Sequence, residues 1–153
     1  MATAILVRHG RTTANATGLL AGRAVGVSLD QIGRDQAALT GDRLAAVPVV
    51  GVVSSPLERC QQTARLILDR QAGTPYAPVD LNLTECDYGQ WQGRTLSDLA
   101  TEDLWPVVQS QPSAVVFPAV NPWPRCRLGQ RQRFDATMQP SKPSTGQGPC
   151  GWR

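Results

Sequence analysis

Residues 49–59 read Val-Val-Gly-Val-Val-Ser-Ser-Pro-Leu-Glu-Arg, a continuous apolar run that leads directly into helix-start residues. A short apolar run bounded by polar residues is typical of a strand buried on both faces of a parallel sheet. Ser55 can cap a helix, Pro56 suits its first position, and Glu58 stands three residues after Ser55, as in a capping box. The stretch therefore predicts a strand over 49–53 followed by a helix from Ser55 to about Gln71.

The same two patterns recur on both sides of this stretch. Residues 4–7 form a second buried-strand pattern, and residues 77–83 form a third, shorter one. Apolar residues at helical spacing predict helices over 34–47 and 95–108. Residues 10–33 are rich in Gly and Thr, which predicts a loop with at most a short helix.

Strands and helices in this alternating order predict an α/β domain with three layers, α/β/α, around a mostly parallel sheet. Ligands of such sheets bind beyond the carboxyl ends of the strands. Arg8-His9-Gly10 follows one predicted strand, and Ser55–Arg59 follows another. We therefore expect a site where these two segments meet.

Charge and composition divide the chain near residue 118. Residues 1–118 have a formal charge of −2, whereas residues 119–153 have a charge of +5, five prolines and no apolar periodicity. This predicts a folded domain over 1–118 and an unrelated, disordered tail over 119–153. Arg outnumbers Lys fourteen to one, as in proteins from GC-rich genes. A frameshift near Pro118 would explain the tail, and a naturally divergent tail is the alternative.

Several functional classes are disfavoured by composition. No two cysteines have C-x-x-C spacing, and the chain has a single histidine, so no zinc ligand set is predicted. The start of the chain is too short for a signal-peptide core, and no run approaches the roughly 18 apolar residues of a membrane span. The basic tail lacks a nucleic-acid-binding fold. We expect a cytoplasmic protein with no membrane or nucleic-acid partner, and the sequence leaves its oligomeric state open.

A phosphoryl-transfer site needs cations for the phosphate oxygens, a nucleophile and an acid for the leaving oxygen. Arg8 and His9 are adjacent at a predicted strand end. Arg59 lies in the first turn of a predicted helix, where free N–H groups and the helix dipole favour an anion. Glu85 follows a predicted strand and is the natural acid. Each residue alone would as readily be structural or solvated, and it is the combination that indicates this chemistry.

The chain resembles the histidine phosphatase, or phosphoglycerate mutase-like, superfamily over about three-quarters of its length, and is most similar to a branch of phosphatases and phosphomutases from high-GC bacteria. The matching stretches, in chain order, are Leu6 to Asn15, Gly18 with Ala21 to Arg23, Leu29 to Ala37, Ser54 to Arg59 with Gln62 to Ala64, Leu83 to Gly93, and Phe117-Pro118.

This resemblance implies a catalytic role for four residues. His9 would be the nucleophile that becomes phosphohistidine, Arg8 and Arg59 would clamp the phosphate, and Glu85 would act as proton donor and acceptor. No metal and no organic cofactor is implied. The substrate would be a small phosphorylated metabolite.

The resemblance also implies contacts to the substrate. Asn15 would hydrogen-bond the phosphoryl group, and Thr12 and Gly22 would line the substrate side of the site. The expected activity is that of a phosphomonoesterase. A phosphomutase of the phosphoglycerate mutase type is the nearest alternative.

The chain departs from the family pattern after Pro118. The family has a second catalytic histidine in a later Ser-His-Gly-like motif, and His9 is the only histidine here. In the family this histidine binds the phosphate, and loss of one preorganised donor of this kind typically lowers the rate by about 10²–10³. The sequence therefore predicts a fold truncated at its C-terminal side, and a catalytically impaired phosphate-binding remnant is a further alternative to the enzyme.

Overall fold

The computed structural model describes residues 3–119. The predicted tail, except for Ala119, and the frameshift interpretation fall outside the described residues. Within this part no helix is long and apolar enough to cross a membrane. The α-helices are α1 (Thr13–Ala16), α2 (Gln31–Leu44), α3 (Glu58–Leu68), α4 (Leu96–Leu99) and α5 (Trp105–Ser110), and the 3-10 helices span Leu81–Leu83, Gly89–Trp91 and Pro112–Ala114.

Helix α2 begins three residues before the predicted start at Arg34 and ends at Leu44 rather than at Val47. Asp30 caps it, because its Oδ1 accepts a hydrogen bond from the Gly33 N–H at 2.7 Å. That bond lowers the pKa of Asp30 below its ordinary 3.8; partial burial opposes the shift, and the Arg11 guanidinium adds to it. Gly33 also lies so close to the backbone of Arg11 that a side chain there would collide with it.

Helix α3 packs against α2 and begins two residues after the start that Pro56 predicts. The predicted capping box is wrong, because the N-cap is Leu57, which makes no side-chain cap. The Ser55 hydroxyl instead accepts a hydrogen bond from the Leu57 N–H at 3.3 Å, a local turn that competes with capping. Arg59 is thereby the second residue of α3, within the first turn as predicted.

The second and third predicted strands pair in parallel between residues 50–54 and 76–80. Two bridges join them, Gly51 with Tyr76 and Ser54 with Val79. Between these bridges stands Pro78, which has no N–H to donate to the Val52 carbonyl. The pairing therefore consists of two separate bridges, and the stretch predicted as strand 77–83 ends in the 3-10 helix Leu81–Leu83.

The first predicted strand, residues 4–7, is not buried. The Leu6 side chain is 90% exposed and the Ile5 side chain 53%. In the part of the chain that the structure describes, no backbone hydrogen bond joins residues 4–7 to another segment. The expectation of burial on both faces is wrong here because burial depends on covering segments, which an apolar run does not specify.

The helix predicted over 95–108 is divided into α4 and α5. Pro106 lies in the first turn of α5, where its missing N–H is tolerated, whereas in the interior of one long helix it would break a hydrogen bond. The division lets Trp105 stack on Trp91, with ring centroids 6.2 Å apart. Trp91 and Leu99 are almost fully buried and belong to the apolar core, together with Phe117.

Candidate active site

The seven residues predicted from the sequence line one cavity of about 360 Å³, within the usual range for small-molecule sites. They are Arg8, His9, Thr12, Asn15, Gly22, Arg59 and Glu85. A larger cavity of about 420 Å³ lies beyond the C-terminal ends of α2 and α3, and its lining contains no charged side chain. The smaller cavity is therefore the candidate active site.

The imidazole of His9 is held in one tautomer by two contacts. Nδ1 lies 2.8 Å from the Gly10 carbonyl oxygen, which can only accept, so Nδ1 carries the proton. Nε2 lies 3.2 Å from Nε of Arg59, which can only donate, so Nε2 presents a lone pair. Nε2 is thus the unprotonated nitrogen, and it faces the guanidinium of Arg59.

Arg59 connects the parts of the site while being only 2% exposed. Its Nη2 donates to the Gly22 carbonyl at 2.8 Å and to Glu85 Oε2 at 2.6 Å. Its Nη1 is buried and has no hydrogen-bond partner among the described residues. A buried unpaired donor of this kind is costly, and a bound anion would satisfy it.

Glu85 is held at both carboxylate oxygens. Oε2 accepts from Arg59, and Oε1 accepts from the Tyr88 hydroxyl at 3.0 Å. Burial raises the pKa of Tyr88 to about 12, and the adjacent Glu85 carboxylate adds to the shift. The backbone carbonyl of Glu85 accepts from Nε of Arg23 at 2.6 Å. The side chain of Glu85 therefore has a fixed direction toward Arg59.

Thr12 and Asn15 form a reciprocal cap at the start of α1. The Thr12 N–H and hydroxyl both donate to Asn15 Oδ1, at 3.1 and 3.0 Å, and the Asn15 N–H donates back to the hydroxyl at 3.1 Å. Thr12 is fully buried. Because Oδ1 faces the backbone donor, Nδ2 of Asn15 is the group left to bind a ligand. The hydrogen bonds from Thr12 thus hold the Asn15 side chain in place.

Gly22 must be glycine for two reasons. Its φ of +52° is in the left-handed region, and a side chain would come within 2.9 Å of the Tyr88 ring. Its carbonyl accepts from Arg59 Nη2 at 2.8 Å. Gly22 thus contributes backbone rather than a side chain to the cavity.

Three further residues of the site, Thr63, Tyr88 and Arg23, were not predicted from the sequence. The Thr63 hydroxyl accepts from the Gly10 N–H at 3.1 Å and donates to the Arg59 carbonyl at 2.8 Å, which ties the His9 loop to α3. All three lie within the stretches of sequence that resemble the family. Thr63 and Arg23 bond to residues distant in sequence, Gly10 and Glu85, whereas Tyr88 bonds to Glu85 only three residues away. That short spacing was the available signal for Tyr88.

Arg8 is exposed at the rim of the cavity, whereas Arg59 is buried in its wall.

Within residues 3–119, no group of three or more His, Cys, Asp or Glu side chains could hold a metal ion.

A family model described as the histidine phosphatase superfamily (branch 1) matches residues 4–133. This range contains the whole cavity and continues beyond the predicted domain boundary at residue 118. The match therefore covers most of the chain.

Individual relatives match part of the chain. The adenosylcobalamin/alpha-ribazole phosphatase of Escherichia coli K12 is 41% identical over 99 residues, which are 64% of this chain and 47% of the relative. The glucosyl-3-phosphoglycerate phosphatase of Mycolicibacterium vanbaalenii is 36% identical over 91 residues, 60% of this chain and 39% of the relative. The chain thus spans about half the length of the curated relatives that it matches, or less.

A solved structure, the alpha-ribazole phosphatase from Shigella flexneri, superimposes with a TM-score of 0.58 at 36% identity. The superposition covers 69% of this chain and 53% of that one. The α/β class of the fold is thereby confirmed.

Proposed function

The chain belongs to branch 1 of the histidine phosphatase superfamily, and from this premise we propose that it transfers a phosphoryl group from a small phosphorylated metabolite through a phosphohistidine at His9. The names of the matched relatives, which are phosphatases of phosphorylated metabolites, support this activity. The proposed fold is three-layered, α/β/α, with a mostly parallel sheet.

The observation that carries the proposal is the guanidinium of Arg59, whose Nη1 is buried and unpartnered while its Nε donates to His9 Nε2. A phosphate oxygen bound there would place phosphorus within reach of Nε2. Arg8 at the rim and Nδ2 of Asn15 would bind the remaining oxygens. Backbone N–H groups at the start of α3 and the helix dipole add positive potential.

The reaction proceeds in two displacements. The bound phosphate takes over the Arg59 donors, which frees the lone pair of His9 Nε2 and lets Glu85 take up a proton from solvent. His9 Nε2 then attacks phosphorus, the bond from phosphorus to the ester oxygen breaks, and Glu85 gives its proton to that oxygen. Water then attacks the phosphohistidine, Glu85 takes a proton from the water, and inorganic phosphate leaves with Nε2 restored. Arg59 stabilises the charge on the phosphoryl oxygens in both steps.

A phosphate-binding remnant with little turnover is the second candidate, because the chain has no second histidine. A phosphomutase is the third candidate.

Hydrolysis of p-nitrophenyl phosphate by the wild type and by His9→Gln distinguishes an enzyme from a phosphate binder. We expect the wild type to hydrolyse the ester and the variant to lose this turnover. Equal turnover would contradict a role for His9, and phosphate binding without turnover would favour the remnant. Transfer to added glycerol instead of water would favour the mutase.

We propose a cytoplasmic protein without membrane or nucleic-acid partners, with residues 119–153 as a tail outside the phosphatase fold. Limited proteolysis tests the boundary. Cleavage confined to 119–153 would support it, whereas protection up to residue 133, where the family match ends, would place the boundary later.

A further inference from the structure

One part of the cavity lining is apolar, whereas the proposed phosphate-binding part is charged. The charged lining comes from Arg8, Arg59 and Glu85, next to His9. The rest of the wall is contributed largely by four apolar residues, for which we use the name leucine wall. They are Leu19, Leu20, Ala21 and Leu96.

The leucine wall is fixed by backbone hydrogen bonds between two loops. Leu20 N–H donates to the Arg94 carbonyl at 2.9 Å, and its carbonyl accepts from the Gly93 N–H at 2.8 Å. Leu96 N–H donates to the Gly18 carbonyl at 2.8 Å, and Leu19 forms a bridge with Thr95. These backbone polar groups are therefore occupied, and the leucine wall offers a ligand mainly methyl and methylene surface.

Among the polar side chains of the cavity lining, Thr12 and Glu85 already have partners, and Arg8 and Asn15 Nδ2 would be used by the phosphoryl group. The single hydroxyl proton of Thr12 is donated to Asn15, and the carboxylate of Glu85 accepts from Arg59 and Tyr88. A leaving group with many hydroxyls would lose its hydration here with few partners in return. A leaving group with an apolar face would instead cover Leu96, whose side chain is 44% exposed.

We propose that the cavity selects phosphate monoesters whose leaving group presents an aromatic or aliphatic face to the leucine wall, in preference to polyhydroxylated leaving groups. This inference rests on the proposed function, because it assumes that the phosphoryl group lies at His9 and Arg59. The phosphate-binding part fixes the ester, and the leucine wall distinguishes one ester from another.

Binding of phosphonates, which cannot be hydrolysed, tests this without requiring turnover. Calorimetry on the full chain would compare benzylphosphonate, 2,3-dihydroxypropylphosphonate and methylphosphonate. We expect benzylphosphonate to bind about tenfold tighter than the dihydroxypropyl compound, the ratio for burial of roughly 60 Å² of ring at about 25 cal/mol per Å². Leu19→Ser and Leu96→Ser should each reduce this ratio. Leu39→Ser, an exposed leucine of α2, is the matched control.

The outcomes separate the two proposals. Equal affinity of the three phosphonates would overturn the preference while leaving the phosphate site intact. A tenfold preference that survives both Leu19→Ser and Leu96→Ser would also overturn it, because the ring would then bind elsewhere. No binding of any phosphonate would overturn this inference together with the proposed function. Leu96 is partly exposed, so Leu96→Ser keeps the test valid if Leu19→Ser does not fold.

Discussion

At the scale of single residues, Arg59 is the centre of the site. Its guanidinium contacts the imidazole of His9, the carbonyl of Gly22 and the carboxylate of Glu85, and it retains one unpaired donor. The same α3 carries Arg65, which is exposed. The helix therefore offers an arginine inside the site and an arginine outside it for comparison.

Replacement of Arg59 by Gln should lower kcat/KM for p-nitrophenyl phosphate by about 10²–10³, because a preorganised donor to the phosphoryl oxygens is removed. Arg65→Gln should leave it unchanged. Steady-state kinetics on both variants measure the difference. Equal losses in the two variants would mean that general charge, rather than the geometry of Arg59, accounts for the activity.

The location of Arg8, His9, Arg59 and Glu85 was predictable from the ends of apolar patterns, whereas Thr12, Asn15 and Gly22 were predicted from the family resemblance. His9 closely follows residues 4–7, and Arg59 lies in the first turn of the helix after residues 49–53. The hydrogen bond of Tyr88 to Glu85 was not predictable, since either residue alone is compatible with an exposed surface. The buried Thr12 was predicted to face the substrate, and only its cap to Asn15 reveals a positioning role.

At the scale of elements, the parallel pair 50–54 with 76–80 is limited by a single proline. Pro78 interrupts the ladder between its two bridges, so the Val52 carbonyl faces a residue without an N–H. Periodicity predicted both segments. It could not predict the interruption, because the register that puts Pro78 opposite Val52 is a property of the pair.

Pro78→Val should raise the free energy of unfolding by about 1 kcal/mol, the net value of a typical hydrogen bond, because Val supplies the missing donor. Pro75→Val, outside the bridged residues, is the matched control and should give no gain. Urea denaturation measures both. A loss of stability in Pro78→Val would mean that the rigidity of proline contributes more than the missing bond.

The cap of α2 makes stability depend on pH. The pKa of Asp30 is lowered from 3.8 in the folded protein by the Gly33 N–H, so its contribution is present above that value and is lost as the pH falls through the folded pKa. Thermal melts between pH 5 and pH 3 should therefore show a smaller fall in Tm for Asp30→Asn than for the wild type. Asp69→Asn, at the end of α3, is the control. A fall of the same size in Asp30→Asn would exclude the cap as its source.

At the scale of the whole molecule, the described part leaves much apolar surface uncovered. Leu6, Val50 and Tyr76 are 90%, 92% and 73% exposed, and all three lie in or beside segments predicted as strands. The α/β class was predictable from the order of elements, but the burial of these segments was not, because it depends on neighbours that the periodicity does not define. Exposed strand edges promote association.

We expect concentration-dependent self-association and marginal solubility, which light scattering would measure. Leu6→Lys combined with Val50→Lys should reduce the association. Val25→Lys, at a fully exposed loop position, should not. A monodisperse monomer with a sharp cooperative melt at high concentration would contradict this expectation.

Detection of phosphohistidine at His9 tests the proposed mechanism most directly. The full chain would be incubated with a ³²P-labelled phosphate monoester, quenched in alkali and digested for mass spectrometry. We predict a phosphoryl group on His9 that is stable in alkali, lost in acid and absent in His9→Gln. A label that persists in His9→Gln, or turnover without any labelled His9, would contradict the claim that His9 is the nucleophile.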